Sequence, residues 1–164
     1  MTQAAQKNRF KALDACHLQM QHHLAELATL LAELRNGQDS APMRQRAAGI
    51  EQFFSTTARQ HHAEEEQKVF PSLLASDNPE LVQAVRTLQQ DHQWIELNWL
   101  ELAPMLRALA QGEDWVDDAE VQHAIDVFLP LCNDHIALEE SLIYPQAKAN
   151  FALELAGRAK RLAA

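Results

Sequence analysis

The sequence predicts an all-α fold, an antiparallel up-down-up-down four-helix bundle with a C-terminal helical tail. Three observations point there. Apolar residues recur every three or four positions through four long segments. Three short breaks rich in Gly, Pro, Asn and Asp separate them, and helices joined by short loops pack antiparallel. No stretch alternates apolar and polar residues as a half-buried strand would, and 4 glycines in 164 residues argue against a loop-rich all-β chain.

The first segment runs from about Gln6 to Asn36 and carries Phe10, Leu13, His17, Met20, Leu24, Leu27 and Leu31 on one stripe. Asn36-Gly37 is a stop, and Ser40 with Pro42 is an N-cap followed by a helix-starting proline. The second segment presents Ile50, Phe54, Thr57, His61, Glu65 and Val69 until Pro71 ends or kinks it. After Ser76-Asp77-Asn78-Pro79, with Asn78 as cap, the third carries Leu81, Val85, Leu88, His92, Ile95, Glu96, Trp99 and Leu102. Pro104 should kink it without ending it, because Met105, Leu106 and Leu109 continue the stripe. Gln111-Gly112-Glu113-Asp114 is the last break. The fourth segment has Val121, Ile125, Phe128, Leu131, His135, Glu139 and Leu142, with a bend expected at Pro130. The bundle spans about residues 6–146, and a helical tail over about 147–164 is expected to pack back on it, all within one domain covering 1–164.

Composition narrows the function classes. A net charge of −9 without clustered Lys and Arg excludes a nucleic-acid footprint. No apolar run nears the roughly 20 residues that span a bilayer, and the polar N-terminus lacks a signal peptide's apolar stretch, so the expectation is a cytoplasmic protein away from membranes. Cys16 and Cys132 form neither a disulfide framework nor a CxxC motif and read as small core residues.

The chemistry lies in a pattern that occurs twice, His-x-x-x-Glu-Glu-x-x-x-(Phe/Tyr)-Pro, from His61 to Pro71 and from His135 to Pro145. Residues four apart share a helix face, so each copy aims an imidazole and a carboxylate the same way. The copies are offset by 74 residues, and His17 and His92 by 75, which reads as two similar helical hairpins about a pseudo-two-fold axis. Helical phase puts His17, His61, Glu65, His92, His135 and Glu139 on inner faces and leaves His22, His23, His62 and His123 solvated or peripheral. Buried carboxylates without a cation are costly, so the six read as metal ligands.

Four imidazoles and two carboxylates exceed one tetrahedral zinc and suit two first-row ions. Nitrogen and oxygen donors with open positions favour iron, with manganese or zinc as alternatives. Glu96, one turn after His92, is either a seventh, terminal ligand, a hydrogen-bond partner of a bound water, or a half-buried edge glutamate. Tyr144 is within reach of the site from the fourth helix, with packing as its preferred role.

The stretches His61-His62-x-x-Glu65-Glu66-x-x-Val69-Phe70-Pro71 and His135-x-x-x-Glu139-Glu140-x-x-Ile143-Tyr144-Pro145, with Ala15-Cys16-His17 and Asp91-His92-x-Trp94-Ile95-Glu96, resemble the hemerythrin-like, HHE cation-binding domain family over about residues 10–146. The resemblance implies a non-haem di-iron centre held by His17, His61, Glu65, His92, His135 and Glu139, with the two glutamates as bridges. It also implies a departure, because oxygen-carrying members have a histidine where this chain has Glu96, and an aspartate at a longer spacing on the fourth helix.

Three functions follow as expectations. The first is binding or sensing of oxygen or a related diatomic, in an apolar pocket lined by Leu24, Phe54, Trp99 and Phe128. The second is redox chemistry on nitric oxide or peroxide, or repair of iron centres. The third is an iron-responsive interaction module that presents the tail residues Phe151, Leu153 and Leu155 to a protein partner.

Overall fold

A computed structural model describes residues 3–162, with side chains from 7 to 161; the ends of the expected 1–164 domain lie outside the described residues. The described elements are helical, with no strand among them: α1 (Gln3–Arg35), α2 (Ala41–Phe53), α3 (Arg59–Lys68), α4 (Phe70–Leu74), α5 (Pro79–Gln111), α6 (Asp118–Leu138) and α7 (Tyr144–Leu162). One π-helical turn, Phe54–Ala58, joins α2 to α3, and another, Glu139–Ile143, joins α6 to α7. The rods are therefore four: α1, α2 to α3, α5, and α6 to α7. α1 and α5 each pack on both α2 and α6, which closes the bundle.

The breaks form where local chemistry demands. Ser40 accepts from the Met43 amide at 3.3 Å, Asn78 from the Glu80 and Leu81 amides, and Asp117 from the Ala119 amide at 2.8 Å. Each cap satisfies an orphan donor and contributes about 1 kcal/mol. At the other ends, Gly37 and Gly112 adopt φ of 65° and 70°, where a side chain is strained. Gln38 and Glu113 then donate back to Glu33 and Ala108, closing both helices with a Schellman turn.

Where prolines fall inside rods, the helices run on. α5 continues through Pro104 and α6 through Pro130. The tail packs on the bundle as a continuation of the fourth rod: α7 follows the π turn, and Phe151 meets Phe10 of α1 with ring centroids 6.4 Å apart. Pro145 explains that turn. Its ring crowds the carbonyl four residues back and it has no N–H to donate, so the wider turn before it makes room. Tyr144 closes the turn by donating its amide to the Glu139 carbonyl.

Apolar burial occurs in two blocks. One is built on Leu24, Leu27, Ile50, Phe54, Trp99, Leu106, Ile125 and Phe128. The other is built on Leu13, Phe70, Leu73, Val85, Leu88, Ile143 and Tyr144. Between them lies a polar layer of buried side chains, His17, His61, Glu65, His92, His135 and Glu139. No described helix is long and apolar enough to cross a membrane.

Candidate metal centre

Each rod contributes an imidazole to the polar layer: His17 from α1, His61 from α3, His92 from α5 and His135 from α6. Glu65 and Glu139, both 0% exposed, sit one turn after His61 and His135. The ring nitrogens Nε2 point inward at the carboxylates. Glu65 Oε1 lies 3.1 Å from His61 and 3.9 Å from His17, while its Oε2 lies 3.3 Å from His92. Glu139 mirrors this, with Oε2 3.0 Å from His17 and Oε1 3.1 Å from His135. Each carboxylate thus offers one oxygen to each histidine pair. The Nε2 atoms of His92 and His135 approach to 3.1 Å, the separation of two donors aimed at one point.

The outward nitrogens are held from behind. His17 Nδ1 lies 3.3 Å from Glu140 Oε1, and His92 Nδ1 lies 2.9 Å from Glu66 Oε1. His135 Nδ1 has Asp91 Oδ2 at 3.6 Å. Carboxylates in such positions fix the ring and its tautomer, so that Nε2 is free to ligate. Glu66 and Glu140 are equivalent positions of the repeated motif.

Two further side chains enter the site against expectation. His62, expected in solvent, is half-buried, stacked on the His92 ring at 4.2 Å and edge-on to His135 at 5.4 Å. Burial, with the charge of His92, holds its pKa well below the usual histidine value, so it is a neutral donor. Tyr144 stacks on His17 at 4.7 Å and donates its hydroxyl to Glu65 Oε1. Its phenol is held above the usual value by burial and by the Glu65 charge. The π turn explains the surprise. One extra residue in the turn after Glu139 exposes Leu142 and turns Ile143 and Tyr144 inward.

Glu96 takes the edge position, one of the three readings open to it. Its side chain is 43% exposed and forms a two-pronged pair with the Arg59 guanidinium, at 2.5 and 3.0 Å. It does not join the six. A free arginine opposite a helix-face glutamate offered a better partner than the polar layer, and the spacing from His92 alone could not reveal that.

Among the described residues, two groups of ligand atoms are close enough to hold metal ions: His17, His61, Glu65 and Glu139, and His62, Glu65, His92 and His135, with the atoms of each group within 4.8 Å of one another. Glu65 belongs to both. The donor set fits first-row cations, and unpartnered buried atoms within it show what a cation would satisfy: Glu65 Oε2 and Glu139 Oε1 have no hydrogen-bond partner. Without a cation, protons do the compensating. Burial disfavours a charged His61, but the neighbouring Cys16, the Glu65 carboxylate that accepts from its ring and the Glu65 charge outweigh it and push the pKa up to about 10. His135 rises to about 9 in the same contest, through Asp91 and Glu139. Burial opposes ionisation of Glu65 as well, yet hydrogen bonds from His61 and His92 hold its pKa well below the usual carboxylate value.

Leu24, Phe54, Trp99 and Phe128 lie in the apolar block about two turns beyond His61 and His135. Phe54, Trp99 and Phe128 pack against one another with centroids 5.2–5.4 Å apart. The clefts that touch ligand residues lie on the flanks: one of about 280 Å³ is lined by Cys16, Thr57, Gln60 and His61, and one of about 710 Å³ by Glu66, Gln89, His92 and Glu96.

Comparison with known proteins agrees with this geometry. A chain from Haemophilus influenzae (strain ATCC 51907 / DSM 11121 / KW20 / Rd), described as an uncharacterized protein, is 28% identical over 130 residues, covering 79% of this chain and 73% of the relative. Residues 8–147 match the family model of the hemerythrin HHE cation binding domain. The chain belongs to the hemerythrin HHE cation-binding family, and the paired His and Glu groups between its two apolar blocks are the part of the fold able to hold metal.

Proposed function

We propose that this protein, read as one hemerythrin-like domain, is a non-haem di-iron protein that binds or senses oxygen or a related diatomic at a carboxylate-bridged site. The observation that carries the reading is the arrangement of Glu65 and Glu139, each with one oxygen toward His17 or His61 and the other toward His92 or His135. That is the arrangement two bridges between neighbouring cations require. Two iron ions there would supply electrons and open coordination positions for a diatomic.

The chain's own residues do the rest. His17 and His61 form one terminal pair, and His92 and His135 the other. His62 adds a third imidazole beside the second pair, which answers the nitrogen shortfall implied by Glu96. Glu66, Glu140 and Asp91 hold the rings from behind. The apolar blocks above and below exclude water, which strengthens every interaction inside.

Tyr144 favours a second reading, redox turnover of peroxide or nitric oxide. Its hydroxyl hydrogen-bonds a bridging carboxylate, so a proton stands ready inside the site.

One experiment separates the readings. Protein purified without oxygen is loaded with ferrous iron, the metal per chain is counted, and the absorption spectrum is followed as air is admitted and removed. Two irons with a reversible colour support binding or sensing. Two irons that oxidise once and stay oxidised support redox turnover. A metal-free protein under these conditions sinks both.

A further inference from the structure

The pseudo-two-fold relation extends beyond the ligands. Glu66 holds His92 and Glu140 holds His17, and these glutamates stand 74 residues apart, as His61 and His135 do. The residue before His92 is Asp91, whose carboxylate faces Nδ1 of His135. The residue before His17 is Cys16. Under the same relation it falls behind His61.

Independent observations agree. Cys16 and His61 line one flank cleft of about 280 Å³. The side chain of His61 is only 2% exposed, and its buried Nδ1, like that of His135, makes no direct hydrogen bond. Glu65 and the Tyr144 hydroxyl approach the ring at Nε2, and Cys16 acts on it from the flank cleft. Cys132, by contrast, lies buried in the apolar block.

We propose that Cys16 is the positioning residue for His61, a thiol in the place that Asp91 holds against His135. A sulfur atom is a weaker and softer acceptor than a carboxylate. It orients the ring while withdrawing less of the Nδ1 proton, so His61 is a poorer donor than His135. The cleft further exposes this support to reagents that the buried site does not admit. The effect on metal rests on the di-metal reading, whereas the effect on the ring does not.

The test therefore begins on metal-free protein, by ¹⁵N–¹H NMR of the imidazole nitrogens. Cys16→Ala should shift the His61 ring signals and leave those of His17, His92 and His135 in place, and Asp91→Ala should shift His135 alone. Cys16→Ser, nearly the same size, controls for packing and should restore much of the His61 shift. Ferrous titration follows. Cys16→Ala should weaken the weaker of two binding events by about tenfold, and Cys16→Asp should bring the two affinities together. Unmoved His61 signals in Cys16→Ala, or equal shifts in all four rings, would overturn the assignment whether or not iron binds.

Discussion

Around His17 and His61 the bundle closes with Tyr144 and Cys16, whereas around His92 and His135 it closes with His62, Phe70 and Asp91. The two surroundings occupy equivalent places. Phe70 stacks on His92 as Tyr144 stacks on His17, but only Tyr144 carries a hydroxyl. The counterpart of His62 in the second copy of the motif is Ile136, a core residue. One backbone repeat thus makes two chemically different metal positions. The second is richer in nitrogen, and the first has a hydroxyl acting on the shared carboxylate.

The largest effect should come from erasing what the halves share. Glu65→Gln combined with Glu139→Gln removes both bridging carboxylates and should abolish metal binding, read by metal analysis after dialysis. Two ions retained at wild-type affinity would break the comparison at its root. Next in size is His62→Ala, which removes an imidazole from one half only. It should weaken one of the two binding events by about tenfold or more and leave the other in place. Equal weakening of both would mean that His62 supports the bundle and not one position.

How much of this was legible in the sequence follows from the same residues. His17, His92 and His135 could be placed on inner faces because each lies on an ordinary 3.6-residue stripe, and Glu65 and Glu139 because each follows a histidine by four residues. His61 keeps its inner place although the π turn Phe54–Ala58 interrupts its stripe and leaves Thr57 exposed. The bundle was legible from the same stripes, with caps and glycine stops marking its turns. Tyr144 was not, because its direction depends on a π turn that shifts the phase by a residue. His62 depends on how closely α5 and α6 approach α3, which no single-helix pattern encodes. Of the three readings open to Glu96, the edge position is the one its pair with Arg59 matches, and that partner comes from a different rod, 37 residues away in sequence.

Tyr144→Phe makes the halves more alike. The metal count should hold while the metal-free protein loses about 1.5–3 kcal/mol, the scale of a hydrogen bond to a charged group, measured by chemical denaturation.

Protonation gives a smaller but graded signal. The folded pKa values of His61 and His135 lie above the unfolded value of about 6.5. Their contribution to metal-free stability is therefore full below about pH 6.5 and is lost as pH rises through about 9 to 10. Thermal melts of metal-free protein should fall across that window. Cations compete with the same protons, so loading at pH 7 should release them, as calorimetry in buffers of different ionisation enthalpy can detect. Melts that rise with pH over this range would contradict the assignment. Glu96→Ala should do least. Its exposed pair with Arg59 is worth at most about 1 kcal/mol, and the metal count should not change.

The central claim is two adjacent and unequal iron positions, and Mössbauer spectroscopy of anaerobic protein loaded with ⁵⁷Fe(II) tests it most directly. The account predicts two irons per chain, seen as two ferrous quadrupole doublets of equal area and different splitting. A single iron per chain, or two irons in one indistinguishable environment, would contradict it.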